Sequence, residues 1–176
     1  MGEYKENTIR VPRFNEANGF YTTPQRSKLM GRIKSKDTKP EKKLRKFLWG
    51  IGLRYRKNVK GLPGTPDIVL SKYKLVIFID GEFWHGYNWE EKKKKIKSNR
   101  EFWIPKIERN MQRDKEYSMF YEENGWMVMR FWENTLKKEF NICIKSILKY
   151  VDDYEKYGRL QKNGISKLKN KWKRKH

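Results

Sequence analysis

The apolar residues of the chain recur with two periods, and these divide it into elements. Between Asp37 and Gly52 the sequence reads DTKPEKKLRKFLWGIG. Leu44, Phe47, Leu48 and Ile51 fall at i, i+3, i+4 and i+7, the stripe of an amphipathic helix. Thr38 and Glu41 predict a capping box, in which each side chain satisfies a free amide of the first turn. Gly52 predicts its stop. Leu53–Val59 reads as a strand. After the turn-rich GLPGTP, the runs DIVL and KLVIFID, separated by SKYK, predict a β-hairpin. Its second strand is apolar on both faces, as a central strand is. GEFWHGYN is a glycine-flanked aromatic loop, and Glu90–Asn99 is charged and either helical or mobile. A long helix is expected from about Glu101 to Asn124, with Pro105 near its first turn and Gly125 as its stop. WMVMRFW is the next strand, and Phe140, Ile144, Ile147, Leu148 and Val151 mark a closing helix. The order α-β-β-β-α-β-α predicts a small α/β domain with a mixed central sheet flanked by helices. Residues 1–27, with Pro12, Gly19 and Pro24 and no period, read as an irregular N-terminal arm. The domain proper is expected over 28–155, and a basic tail over 156–176.

Composition narrows the partner. The chain has 176 residues, suited to one domain with tails. Aromatics make up 15% of it, with seven Trp, which argues for a packed core. Lys plus Arg number 43 against 21 Asp plus Glu, a net charge of +22. That excess implies a polyanion, either nucleic acid or an anionic membrane surface. No run approaches the roughly 20 apolar residues of a membrane span, and MGEYKENTIR has no apolar signal-peptide core. The single Cys143 excludes an internal disulfide and a multi-Cys zinc site. An intracellular protein that binds nucleic acid is expected, with Lys92–Lys95 and the tail QKNGISKLKNKWKRKH touching phosphates.

The candidate chemistry lies around the hairpin. If Leu70 pairs with Leu75, Asp67 pairs with Phe78. Phe78 and Asp80 share a face, so Asp67 and Asp80 become diagonal neighbours, roughly 7–8 Å apart at Cα. Two such carboxylates can converge on Mg²⁺ at about 2.1 Å from each oxygen. A slip of one residue would put them on opposite faces. Taken singly, each also reads as a turn residue, Asp67 after Pro66 and Asp80 before Gly81. Asp80, however, ends an apolar strand, where α/β sites are commonly built. His85 follows five positions later. It is the only histidine besides the terminal His176 and so the candidate for proton transfer near neutral pH.

These residues stand within a larger pattern. TPQRSKLMGRIKSKDTKPEKKLRKFLWGIGLRYRKNVKGLPGTPDIVL, then VIFIDGEFWHG, then REFWIPKIERNMQRD, then GWMVMRFWE resemble, in order, the very-short-patch-repair (Vsr) DNA mismatch endonucleases over about residues 22–134. The resemblance implies a restriction-endonuclease-like fold and nicking of duplex DNA on the 5′ side of the thymine in a T:G mismatch, the product of 5-methylcytosine deamination. It implies that Asp67 is the central Mg²⁺-binding aspartate. Asp80 takes a position that is His in the best-known member and Asp in many others, and the Ile79 carbonyl helps bind metal, with two ions possible. His85 would activate water, and Glu41 matches an acid linked to the active site, though its capping role also explains it. Phe83, Trp84 and Trp103 match side chains that wedge into the DNA stack, where a mismatch is cheaper to unstack. Trp103 and Phe83 also read as core residues. Asn110, Arg113 and Asp114 match positions on the long helix, where i, i+3 and i+4 share a face. Asn110 and Arg113 are taken as DNA-binding.

The sequence also departs from the family. Its members hold the aromatic loop with a structural zinc bound by three Cys and one His. The matching positions here are Glu82, Tyr87, Trp89 and Asn134, so no structural zinc is expected and Tyr87 and Trp89 packing would hold the loop. The expected function is a Mg²⁺-dependent endonuclease nicking double-stranded DNA at T:G mismatches, a cytoplasmic bacterial monomer associated with the nucleoid. The alternatives are a restriction-type nuclease of the same fold, or a non-catalytic DNA-binding protein.

Overall fold

The computed structural model describes residues 7–32, 36–157 and 172. Apart from Trp172, the basic tail beyond Tyr157 lies outside the described residues. The elements are α1 (Pro24–Gly31), α2 (Lys39–Gly50), β1 (Ile68–Leu70), β2 (Leu75–Asp80), α3 (Trp89–Lys95), α4 (Arg100–Glu123), β3 (Met127–Trp132), α5 (Glu133–Lys138) and α6 (Phe140–Tyr157). They form two compact units, each built from two stretches of chain: Met1–Ser35 with Glu82–Lys115, and Lys36–Gly81 with Glu116–His176.

The second unit holds a mixed sheet of order β1-β2-β3, the α/β arrangement expected. β1 and β2 pair antiparallel in the predicted register, Leu70 opposite Leu75 and Ile68 opposite Ile77. β2 and β3 run parallel, with Phe78 opposite Arg130 and Asp80 opposite Trp132. Strand alternation then sorts the side chains. Ile68, Leu70, Leu75 and Ile77 pack with Leu44 and Leu48 of α2, Leu136 of α5, and Ile144 and Ile147 of α6. Val69, Val76 and Phe78 face the other way, onto Leu62, Phe120, Tyr121 and Trp126. Burying each such aliphatic side chain contributes about 1.5–3 kcal/mol. β2 is covered on both sides and is the central strand that its unbroken apolar run implies.

Three details differ from the sequence expectation. Leu53–Val59 is not a strand. It touches the sheet through one bridge, Arg56 to Val69, and Asn58 at φ 46 turns the chain away. The capping box does not close: the Thr38 hydroxyl makes no cap bond and is buried without a partner. Glu41 Oε2 instead accepts from the Asp37 amide, 2.9 Å away. The N-terminal arm is not wholly irregular either. Thr23 caps α1 by accepting from the Arg26 amide, and Pro24 opens the helix.

That arm is also tied down within the first unit. The Gln112 side chain accepts from the Ile9 amide and donates to the Asn7 carbonyl, both at 3.1 Å. Asn99 donates to the Tyr21 carbonyl. Phe14 and Phe20 pack on Phe102 at ring separations of 4.8 and 5.6 Å.

Candidate functional site

The sequence candidates fall into two groups, one in each unit. In the sheet unit Asp67 shares the parity of Val69 and so takes the same sheet face as Phe78 and Asp80. Its Oδ2 accepts from the Ile79 amide at 2.8 Å, which locks the carboxylate to the last turn of the hairpin ladder. Burial pushes its pKa up to about 6 from an ordinary 3.8, with Glu41 and Asp80 adding repulsion and the Ile79 amide and Arg45 opposing. Two of the three acids have a cation of their own. Glu41, 3% exposed, lies 3.4 Å from Arg45, which also pairs with Asp37. Asp80, 5% exposed, takes both ends of the Arg130 guanidinium: Nε to Oδ2 at 2.7 Å and Nη2 to Oδ1 at 2.9 Å. Asp67 Oδ1 makes no hydrogen bond among the described residues.

This donor set fits a hard cation in one particular way. Among the described residues no three His, Cys, Asp or Glu side chains surround a common point. Mg²⁺ does not require such a cage. It retains several waters and is often held by one or two carboxylates plus substrate phosphate. Asp67 fits as that carboxylate, since it is half-buried, fixed by the Ile79 amide and makes no ion pair among the described residues. Asp80 fits less well, because a guanidinium already engages both of its oxygens.

In the other unit, His85 Nδ1 lies 2.6 Å from Asp114 Oδ2. An ionised carboxylate only accepts, so Nδ1 is the donor, and in the neutral form of the ring the lone pair lies on Nε2. The ring is thereby oriented as a base, with 30% of the side chain exposed to receive a proton. The loop carrying it is fastened at several points. Asn110, 8% exposed, donates to the Trp84 carbonyl at 2.9 Å. Its oxygen accepts from Arg113, so Asn110 and Arg113 act together beneath the loop. Gly86 lies at φ +72, and a Cβ there would collide with Met111 Sδ. Trp89 is buried, and its indole N–H donates to Glu108 at 3.2 Å, which also binds Lys93. Of the two aromatics expected to hold the loop, only Trp89 is inside; Tyr87 is 43% exposed beneath the Lys92 ammonium.

Phe83, Trp84 and Trp103 form a triangle of edge contacts with ring separations of 5.2, 5.7 and 5.8 Å. Phe83 remains 42% exposed. Beside them opens a hollow of about 880 Å³, with Phe14, Phe102 and Trp103 on its apolar wall and Arg26, Lys92, Lys95 and Lys97 among its lining cations. An aromatic wall with cations around it suits stacked bases and their phosphates.

Sequence reasoning missed Arg130 as the partner of Asp80, Asp114 as the partner of His85, and Glu108 as the partner of Trp89. Asp114 left a trace, since it shares a helical face with Asn110, and both turn to the loop. Arg130 left a weaker one: an Arg inside the apolar run WMVMRFW needs an acid or a ring nearby. It has both, for its guanidinium also lies 4.6 Å from the Phe78 ring centre.

Residues 18–91 match the family model described as DNA mismatch endonuclease Vsr. The type II nicking enzyme V.NmeDIP of Neisseria meningitidis serogroup C is 47% identical over 152 residues, covering 86% of this chain and 97% of the relative. V.HpaIIP of Haemophilus parainfluenzae, also named a type II nicking enzyme, is 52% identical over 118 residues, covering 66% of this chain and 84% of its own. The DNA mismatch endonuclease Vsr of Escherichia coli (strain K12) is 35% identical over 130 residues, covering 73% and 82%. No helix among the described residues is long and apolar enough to cross a membrane. With its mixed sheet, its Asp67–Asp80 strand pair and its histidine-bearing aromatic loop, this chain belongs to the Vsr family of DNA endonucleases, whose fold is restriction-endonuclease-like.

Proposed function

We propose that this endonuclease nicks one strand of duplex DNA at T:G mismatches and that it requires Mg²⁺. The observation that carries the mismatch reading is the aromatic triangle in which Phe83 and Trp84, on the same loop as the oriented His85, meet Trp103 of α4. Three flat side chains can replace stacking lost at a weak base step, and base–aromatic stacking is worth roughly 1–3 kcal/mol per base. The names of the relatives support nicking and action at a mismatch: nicking enzymes in Neisseria and Haemophilus, a mismatch endonuclease in E. coli.

The chain's own groups divide the chemistry. His85, with Nδ1–H held by Asp114, takes the proton of the attacking water at Nε2. Asp67, helped by the Ile79 carbonyl and with Asp80 beside it, would hold the divalent cation. When bound, that ion lowers the pKa of water and stabilises charge on the phosphoryl oxygens. Glu41 stays an acid neighbour of Asp67, paired with Arg45. Lys92, Lys95 and Lys97 supply phosphate contacts that weaken with salt.

Duplexes carrying T:G, each other mismatch, or full pairing, incubated with and without Mg²⁺ and resolved strand by strand, test this reading. Nicking of one strand of the T:G duplex only with Mg²⁺ is expected. Equal cutting of the paired duplex would overturn the mismatch reading, and turnover in chelator would overturn the cation reading.

A further inference from the structure

We infer that Arg130 is a fixed positive charge which holds Asp80 in place and restricts the Asp67 centre to a single divalent cation. The inference rests on the cation reading of Asp67 and adds to it a count and a residue. It begins with strand register. Arg130 stands opposite Phe78 on the parallel neighbour β3, and Asp80 lies two residues further along β2 on the same face. The guanidinium therefore crosses the Phe78 ring, 4.6 Å from its centre, and meets the carboxylate end on. Both N–H donors that face Asp80 are used, and both carboxylate oxygens accept, at 2.7 and 2.9 Å. Such a fork fixes the orientation of a carboxylate in a way that a lysine ammonium does not.

The charge count follows. Asp37, Glu41, Asp67 and Asp80 sum to minus four, and Arg45, Lys57 and Arg130 return plus three. The remaining negative charge belongs to Asp67. One dication at Asp67 already reverses the sign of this group, and a second beside Asp80 would have to approach a guanidinium at hydrogen-bond distance from its only side-chain ligand. Arg130 thus supplies, permanently, part of the positive charge that a second ion would bring. Removal of its charge should reopen that position.

The experiment counts Mn²⁺ bound to the full-length chain by electron paramagnetic resonance titration, with no DNA and no turnover. The parent chain is expected to bind about one ion, and so is Arg130→Lys, which keeps the charge. Arg130→Met is expected to bind about two. Arg130→Gln, neutral and polar, makes the same test should Arg130→Met fail to fold. Two ions in the parent would overturn the single-cation centre, and one ion in every variant would overturn the role of Arg130. No ion in the parent at millimolar Mn²⁺ would instead overturn the cation reading of Asp67 itself.

Discussion

The two units place their functional side chains by different physics. In the sheet unit, position follows from the backbone ladder. Once Leu70 faces Leu75, parity puts Asp67, Phe78, Asp80 and Arg130 on one face, and ion pairs finish the arrangement. In the loop unit no ladder exists among the described residues. His85, Trp84 and Gly86 are placed by side-chain contacts from α4, among them those of Asp114, Asn110 and Met111. A ladder shares an error among many hydrogen bonds, whereas a loop fastened at points depends on each point. The sheet should therefore tolerate changes of shape and respond to changes of charge, and the loop should do the reverse.

The largest effect is expected where charge matters most. Asp67→Asn keeps an acceptor for the Ile79 amide and loses the charge. Nicking should fall by about 10⁴-fold, since metal charge stabilisation is worth several kcal/mol and each 1.36 kcal/mol is tenfold. Its stability should move the other way. Because the Asp67 pKa is raised to about 6, its proton is held more tightly folded than unfolded. The stabilisation is complete below 3.8 and is lost as pH rises to about 6. Without divalent ions, Asp67→Asn should thus melt higher than the parent at pH 8 and together with it near pH 3.5. A lower melting point at pH 8 would contradict the uncompensated charge.

Next comes His85→Ala, expected to slow nicking by about 10²–10³-fold with little change in DNA affinity, as loss of a general base should. A near-parental rate in single-turnover assays would remove His85 from that role. Trp84→Ala should weaken binding to a T:G duplex by about tenfold and to its paired counterpart far less, from a stacking loss near 1.4 kcal/mol. Equal losses on both would make Trp84 an ordinary contact. The smallest effect is Trp89→Phe, which keeps the ring and removes the N–H to Glu108. A loss of about 0.5–1.5 kcal/mol in stability is expected, with binding preserved. A collapse of DNA binding would mean that this one hydrogen bond sets the loop.

The same contrast explains what could be read from the chain before folding. The hairpin, its register and the shared face of Asp67 and Asp80 were legible because strand alternation is a rule of two. Leu53–Val59 looked similar and failed, because β1 is three residues long and offers it one bridge. α1 escaped notice because none of its residues is buried, so it shows no apolar period. Its only signals were local: Thr23 as cap and Pro24 at the first position. The partnerships of His85, Asp80 and Trp89 each join residues far apart in sequence through their side chains, and no periodicity encodes them.

The seat of Gly86 against Met111 constrains how the loop can change over time. A side chain at 86 meets the thioether and also a backbone angle that favours glycine. Variation at 86 therefore requires a prior change at 111. Met111→Ala followed by Gly86→Asn is an open route, and the reverse order passes through a damaged intermediate. A library that varies 86 and 111 together should recover active pairs that single-site scanning misses. The order of steps, rather than the endpoints, then decides which descendants of this sequence can be reached.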